Sequence, residues 1–229
     1  MKVVRPSRDD QILFVGDIQG SHQALTNLLR VSHFQPDRHR LIPLGDTINR
    51  GPGNLATLKT LYTLGATPIV GNHELGILRT YKQSPQPSWL ASQTVSRDLL
   101  KRKDTEDWLN WVDSWPRFII DKGFIAVHAG LHPKLSLLET SERFLTRVRL
   151  CNAAGDFPPD WDGLNTSFPR GYHPWYRWYK GTKHVFYGHW ARLGLNQREK
   201  TTGLDSGCVY GNPLSGMWFP SMRLVQAAS

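Results

Sequence analysis

The stretch ILFVGDIQG, residues 12–20, decides the fold class of this 229-residue chain. Four consecutive apolar residues are followed directly by glycine and aspartate, a pattern typical of a buried strand that ends in a polar loop. The pattern returns in LIPLGD, residues 41–46, and in TPIVGNHE, residues 67–74. Helical spacing of apolar residues occupies the intervals at 24–31 and 55–64. Strands that alternate with helices over short connections predict an α/β layered fold.

The second half of the chain is richer in predicted strands. Residues 104–115 predict an amphipathic helix that ends at Pro116, and residues 141–149 predict another helix. Strands are expected at residues 118–120, 124–128, 185–187, 214–219 and 222–225, and around Leu204. We therefore expect one domain over residues 1–229, in which two β-sheets pack face to face with helices outside. Residues 157–179 are rich in Pro, Gly, Trp and Tyr, so a cap or lid is expected within 132–183.

The composition is that of a globular and basic protein. It contains 28 Lys and Arg residues against 19 Asp and Glu residues, a formal charge of +9. This charge would attract nucleotides, polyphosphates or nucleic acid, although a basic surface without function explains it equally well. No apolar run approaches the roughly 20 residues of a membrane span, and the first residues lack a signal segment. We expect a cytoplasmic protein without a membrane partner, whose two cysteines, Cys151 and Cys208, are reduced thiols.

Five polar clusters each follow a predicted strand. They are GDIQG at 16–20, GDTINRG at 45–51, GNHE at 71–74, VHAG at 127–130 and YGHW at 187–190. Ligands of α/β proteins collect beyond the carboxyl ends of strands, and Asp, Asn and His are metal donors. One Gly-Asp pair is more often a plain turn, and a single histidine at a strand end is usually structural. Five such clusters together predict a metal site.

The five clusters resemble the signatures of the calcineurin-like metallophosphoesterases, in the branch that includes the protein Ser/Thr phosphatases. Three further motifs, FLTRVRLC at 144–151, NRGP at 49–52 and LDSGC at 204–208, resemble the symmetrical bis(5′-nucleosyl)-tetraphosphatases. The likeness extends over nearly all of residues 12–219. It implies the calcineurin-like sandwich fold and an enzyme that cleaves diadenosine tetraphosphate into two ADP molecules with a metal-activated water.

The resemblance implies a role for each matching residue. It implies two divalent cations, for which we expect Mn²⁺, with Co²⁺ or Mg²⁺ as alternatives. The expected metal ligands are Asp17, Gln19 and Asp46 at the first site, and the bridging Asp46 with Asn72, His128 and His189 at the second. His73 would act as general acid, and Arg50 would hold the reacting phosphoryl group.

Arg147 and Arg149 would hold further phosphates of the substrate. They would share a face on a strand but not on a helix. A solvated basic face is the alternative explanation for this pair.

The sequence departs from the family pattern at three places. Gln19 replaces the usual histidine of the first cluster, and its amide oxygen favours Mn²⁺ or Mg²⁺ over Zn²⁺. His22 is an alternative donor, although it is expected on the first turn of a helix. Asn49 replaces the aspartate that pairs with the catalytic histidine in protein phosphatases, which argues against that activity. The interval between His128 and His189 is short for the tetraphosphatases, so the cap over the nucleoside is expected to be reduced.

Other functions stay open at this point. A broader metallophosphatase would act on phosphoprotein, nucleotide or a 5′ RNA cap, and a catalytically inactive scaffold would bind nucleotide or RNA. The substituted Gln19 is the only feature that favours the scaffold. Five aromatic residues of the cap segment would either stack on bases or pack that segment: Trp161, Trp175, Tyr176, Trp178 and Tyr179. Oligomeric state is not predicted.

Overall fold

Strand β1 (Gln11–Val15) is buried on both faces, which explains why its apolar run does not alternate with polar residues. Ile12 and Phe14 face a second sheet, whereas Leu13 and Val15 pack against helix α1 (His22–Ser32). The computed structural model describes residues 11–81, 83, 88, 90, 93–159, 161 and 167–229.

Two sheets contain nine of the strands. The first has the order β11-β10-β1-β2, in which β2 (His39–Pro43) is parallel to β1 and β10 (Leu214–Phe219) is antiparallel to it. The second has the order β3-β4-β7-β9-β8, in which β4, β7 and β9 are parallel. The remaining strands are β3 (Phe118–Ile120), β4 (Phe124–Val127), β5 (Leu150–Cys151), β6 (His173–Pro174), β7 (His184–Tyr187), β8 (Asn196–Gln197), β9 (Thr201–Gly203) and β11 (Arg223–Ala227). Strands β5 and β6 pair with each other.

The two larger sheets pack face to face through an aromatic core. The Phe14 ring stacks on the Phe186 ring with centroids 4.0 Å apart, and Phe124 packs edge-on against Phe14 at 5.0 Å. Helices cover the outer faces: α1, α2 (Asn54–Thr63), α3 (Asn72–Tyr81), α4 (Thr94–Asp98), α5 (Thr105–Asp113) and α6 (Glu142–Arg147). The predicted α/β fold, with two sheets flanked by helices, is confirmed.

One predicted strand is wrong. Residues 67–70 run beside β2, and the N–H groups of Thr67 and Ile69 donate to Leu41 and Pro43. Pro43 of β2 has no N–H with which to donate back to this segment, and the N–H of Val70 donates to Pro116 instead. The segment is therefore extended but not a strand, and it leads directly into α3 at Asn72.

The structure also describes the state of the two cysteines and bears on the question of a membrane-spanning helix. Cys151 and Cys208 are both buried as free thiols. In the part of the chain that the structure describes, no helix has the length and apolar character needed to cross a bilayer.

Candidate metal centre and catalytic cavity

The polar clusters converge on one cavity of about 530 Å³. Seven of the predicted site residues line it: Gln19, Asp46, Arg50, Asn72, His73, Arg149 and His189. Asp17 and His128 lie behind this lining, because Asp17 Oδ1 accepts from the N–H of His189 and His128 Nε2 lies 3.1 Å from Asn72 Oδ1. Arg147 is exposed at the end of α6 and does not line the cavity.

Unusual backbone conformations bring these loops together. Gln19, Asp46, Asn49, Arg50 and His189 all have a left-handed backbone, with φ between 45° and 80°. Such strained conformations cluster at functional sites. The glycines that precede two of the predicted metal ligands, His189 and Asn72, are required by close contacts. A Cβ on Gly188 would lie 2.1 Å from Asp17 Oδ1, and one on Gly71 would lie 2.3 Å from Asp46 Oδ1.

Asp46, His128 and His189 form a buried cluster whose ligand atoms all lie within 4.8 Å of one another. His128 Nδ1 donates to the Leu44 carbonyl oxygen at 2.7 Å, so in the neutral ring Nε2 carries no hydrogen and has a free lone pair. Nε2 lies 3.4 Å from Asp46 Oδ1. His189 Nε2 donates to the Arg147 carbonyl oxygen at 3.2 Å, so Nδ1 carries no hydrogen and its lone pair is available to a metal ion. Backbone carbonyls fix histidine tautomers in this way at metal sites.

The charges of this cluster are mutually balanced. Burial alone would raise the pKa of Asp46, but the imidazoles of His128 and His73 outweigh it and hold the pKa below its usual range. Burial lowers the pKa of His128, whereas the Asp46 carboxylate raises it and prevails. Burial and then the Arg149 guanidinium lower the pKa of His189, which favours the neutral imidazole, the form that can bind a metal ion.

A second group of carboxylates lies on the other side of Asp46. Burial raises the pKa of Asp17 well above its usual range, and the charges of Asp205 and Asp46 add to this effect. Burial also raises the pKa of Asp205 to about 6. The Asp17 side chain is 4% exposed, and its Oδ2 atom has no hydrogen-bond donor among the described residues. Buried carboxylates of this kind, one with an unpartnered oxygen, fit a divalent cation.

His73 lies beside the cluster of Asp46, His128 and His189, which we call the metal cluster. Its Nδ1 accepts from Asn49 Nδ2 at 3.0 Å, and its Nε2 lies 3.7 Å from Asp46 Oδ2 and 3.4 Å from Arg50 Nε. Burial and the Arg50 charge lower the pKa of His73, against an opposing effect of Asp46. Asn49 also accepts from the N–H of Arg50 at 2.9 Å through Oδ1, so the orientation of its amide is fixed.

Two buried carboxylates of the site, Glu74 and Asp205, were not assigned from the sequence, although the motifs that contain them were recognised. Glu74, in the GNHE cluster, is fully buried and accepts four backbone N–H groups: those of Asp46, Thr47 and Ile48 in the second cluster and that of Gly71 in its own cluster. Burial and the Asp46 charge raise its pKa to about 7. Asp205 follows β9 and lines the cavity. Its position directly after a strand is the signal that could have identified it.

The two candidate phosphate-binding arginines at the end of α6, Arg147 and Arg149, separate in the structure. The predicted helix over residues 141–149 ends at Arg147, and Val148 is extended. Arg149 therefore turns into the cavity, where its Nη2 donates to the His189 carbonyl oxygen at 3.1 Å. The alternative metal donor, His22, is the first residue of α1, and its Nε2 lies 3.0 Å from Thr60 Oγ1.

The aromatic residues of the cap segment divide into two groups. Trp175 is 1% exposed and packs against Tyr187, and Tyr176 and Trp178 belong to the same core. The Tyr179 hydroxyl donates to the Lys183 carbonyl oxygen. For these residues the structure shows packing. Trp161 instead contacts Phe168 and Trp190, and Trp190 lines the catalytic cavity.

Known proteins match this chain over most of its length. The profile of the calcineurin-like phosphoesterase family matches residues 11–193. The symmetrical bis(5′-nucleosyl)-tetraphosphatase of Burkholderia pseudomallei is 32% identical over 271 aligned residues, which cover 92% of this chain and 91% of that protein. The protein of the same name from Methylobacillus flagellatus is 28% identical over 263 residues, covering 93% of each.

The lengths of these relatives differ from that of this chain. Both alignments are longer than the 229-residue chain, so the two relatives carry residues that this chain lacks. The crystal structure of a provisionally assigned diadenosine tetraphosphatase superposes with a TM-score of 0.82 and 29% identity. That comparison covers 98% of this chain and 96% of the other, so the two chains are of similar size.

Proposed function

Because this chain belongs to the calcineurin-like phosphoesterases, and within them to the symmetrical bis(5′-nucleosyl)-tetraphosphatase family, we propose that it cleaves dinucleoside tetraphosphates into two nucleoside diphosphates. Diadenosine tetraphosphate, which would give two ADP, is the expected substrate. The observation that carries this proposal is the convergence of the metal cluster, His73 and two arginines in one cavity. The chain is a hydrolase of a class that works with divalent metal ions.

We propose two metal sites that share Asp46. Asp17, Gln19 and Asp46 would hold the first ion, and Asp46, Asn72, His128 and His189 would hold the second. When bound, the ions would polarise a phosphoryl oxygen and make a water nucleophilic near neutral pH. The oxygen donors of the first site favour a hard ion, so Mn²⁺ is proposed ahead of Mg²⁺ or Co²⁺.

His73 is proposed to give the departing phosphate oxygen its proton. In the structure Asn49 Nδ2 donates to Nδ1 and Arg50 Nε donates to Nε2. As the acid, His73 would carry its proton on Nε2, beside Asp46, with the Arg50 Nε–H turned to a phosphoryl oxygen of the bound substrate. Arg50 lies 3.4 Å from this nitrogen, so the guanidinium that would hold the phosphoryl group is next to the proposed acid. Binding and proton transfer would thus take place at adjacent atoms.

Arg149 is the stronger of the two candidates for holding a further phosphate. It lines the cavity and is fixed to the His189 carbonyl oxygen, whereas Arg147 is exposed. A guanidinium held at a set distance from the metal cluster would determine which phosphorus is attacked. Displacing the substrate by one phosphate would move the reacting atom beyond the roughly 3–3.5 Å needed for attack.

We further propose that part of the segment 132–183 covers a nucleoside. The contacts of Trp161 and Phe168 with Trp190 support this, since they place aromatic faces beside the cavity. Phe168 is 45% exposed, which leaves its ring accessible to a base.

The experiment is product analysis of diadenosine tetraphosphate at an early time point with added Mn²⁺, by anion-exchange chromatography. ADP alone is the expected product. Equal amounts of AMP and ATP would reject symmetrical cleavage while leaving the metal centre in place. No cleavage, together with turnover of a phosphopeptide or a capped RNA, would replace the proposed substrate.

A pair of matched variants tests the origin of the register. Arg149→Ala is expected to raise KM and to allow AMP and ATP among the products. Arg147→Ala removes an identical side chain from the exposed end of α6 and is expected to leave the product pair unchanged. The opposite result would assign the phosphate contact to Arg147.

A further inference from the structure

Asp205 is a buried carboxylate that the proposed reaction does not use. It follows β9 at the same edge of the second sheet at which His128 follows β4 and His189 follows β7. Its side chain is 4% exposed and lines the cavity together with Gln19 and Asp46. A charged group in such a place is costly unless a partner stabilises it.

The neighbours of Asp205 point to a cation as that partner. Its Oδ1 accepts from the N–H of Gly207 at 3.1 Å, and its carboxyl group is a neighbouring negative charge of the buried Asp17. Asp17 Oδ1 is occupied by the N–H of His189, and Asp17 Oδ2 has no donor in the part of the chain that is described. Two buried carboxylates that face each other repel unless a proton or a metal ion lies between them.

The first metal site also has a weak donor. Its side chains are Asp17, the shared Asp46 and Gln19, whose amide oxygen is neutral and binds divalent first-row ions less strongly than an imidazole or a carboxylate. Gln19 and Asp205 line the same cavity, with Asp17 behind them. An additional charged oxygen would therefore stand where the donor set is poorest.

We propose that Asp205 is an oxygen donor of the first metal site and compensates there for the amide of Gln19. The ion that this set of three carboxylates and one amide would take is a hard divalent cation, Mn²⁺ or Mg²⁺. The inference rests on the two-ion site of the proposed function. The competing explanation is structural, namely that Asp205 only accepts from Gly207 and stabilises the turn after β9.

Asp205→Asn separates the two explanations. Asparagine has nearly the same volume and keeps an oxygen for the Gly207 N–H, so the turn is retained and only the charge is lost. Asp121→Asn is the matched control, because Asp121 is a mostly buried carboxylate that pairs with Arg40 and also accepts from a backbone N–H, that of Lys122.

The measurement is a titration of each metal-free protein with Mn²⁺, in which electron paramagnetic resonance counts free ions, together with the melting temperature without metal. The wild type and Asp121→Asn are expected to bind two ions per chain. Asp205→Asn is expected to keep one of them and to bind the other at least about tenfold more weakly, with a melting temperature close to the wild type. Two ions bound by Asp205→Asn as tightly as by the wild type would overturn the inference.

A double variant tests the compensation itself. Gln19→His supplies the stronger donor, and histidine tolerates the φ of 49° at this position. If Asp205 compensates for Gln19, the loss of affinity caused by Asp205→Asn is smaller in the Gln19→His background. An equal loss in both backgrounds would contradict compensation. Two-ion binding that depends on Asp205, in a protein that leaves dinucleoside tetraphosphate intact, would support the inference and refute the proposed substrate.

Discussion

Replacing Asn49 with aspartate should shift the pH dependence of the reaction through His73. The Asn49 amide donates to His73 Nδ1 at 3.0 Å, so it stabilises the neutral ring and opposes a proton on that nitrogen. An aspartate would instead accept from the protonated ring through one oxygen, and from the Arg50 N–H through the other, as Asn49 Oδ1 does now. The substitution keeps the shape of the side chain and changes the protonation state that it favours.

The size of the shift follows from the distance and the burial. Two unit charges about 4 Å apart interact by about 4 kcal/mol at an effective dielectric constant near 20, and one pKa unit corresponds to about 1.36 kcal/mol. The His73 side chain is 14% exposed, so solvent screens part of this interaction. An adjacent carboxylate commonly changes a pKa by about 1–3 units, and we expect the pKa of His73 to rise by about 1–2 units.

The sign of the effect is set by the role of His73. A general acid must be protonated, so activity falls as the pH rises through its pKa. Burial and Arg50 lower that pKa in the wild type, and a new carboxylate raises it. The high-pH limb of the kcat/KM profile, which reports the free enzyme, should therefore move upward in Asn49→Asp.

The assay is the initial rate of dinucleoside tetraphosphate cleavage between about pH 5 and 9 at a saturating Mn²⁺ concentration. Asn49→Gly is the control, because glycine accepts the φ of 80° at this position and removes the amide without adding charge. The high-pH limb of the kcat/KM profile of Asn49→Gly should move upward by less than that of Asn49→Asp. A limb that stays in place or moves downward in Asn49→Asp would show that His73 is not the acid.

Four further outcomes are expected. Asp46→Asn should lose bound metal and lower activity by at least about 100-fold, as measured by metal analysis and turnover, since Asp46 belongs to both proposed sites. His73→Ala should lower kcat by about 10²–10⁴-fold with unchanged metal content; loss of an ion would make His73 a ligand. Gln19→His should shift the metal preference toward Zn²⁺ or Co²⁺, and an unchanged preference would place Gln19 outside the first site. Glu74→Gln should lower the free energy of unfolding by about 2–6 kcal/mol in urea, because two of the four bound N–H groups lose their acceptor; exposed Glu139→Gln should change it little.

The first two strands were predictable because a buried apolar run ends in each case just before a Gly-Asp pair. β1 is apolar on both faces and stops at Gly-Asp, and β2 repeats the pattern with Asp46. Residues 67–70 carry the same signal, yet strand pairing depends on which N–H groups find partners across the sheet. Pro43 of β2 cannot donate back to this segment, and Val70 donates to Pro116 outside the ladder. Apolar periodicity does not contain that information.

The sequence indicated which candidate metal ligands would lie together, but not the hydrogen bonds that connect their loops. Each strand-end motif contains its own candidate ligand, whereas Glu74 accepts a hydrogen bond from a backbone N–H group 28 residues away along the chain. Asp205 acquires its neighbours only when β9 pairs with β7. Whether Arg149 faces the cavity depends on α6 ending at Arg147, and helix ends are fixed by local hydrogen bonds that periodicity predicts poorly.

The distribution of positive charge around the metal cluster favours a substrate that extends in two directions from the reacting phosphorus. Arg50 contacts His73 on one side of Asp46, and Arg149 contacts His189 on another. A phosphomonoester on a protein side chain would place most of its charge on one phosphoryl group and would need one such clamp. A tetraphosphate carries charge on both sides of its central bridging oxygen, so two separated guanidinium groups suit it.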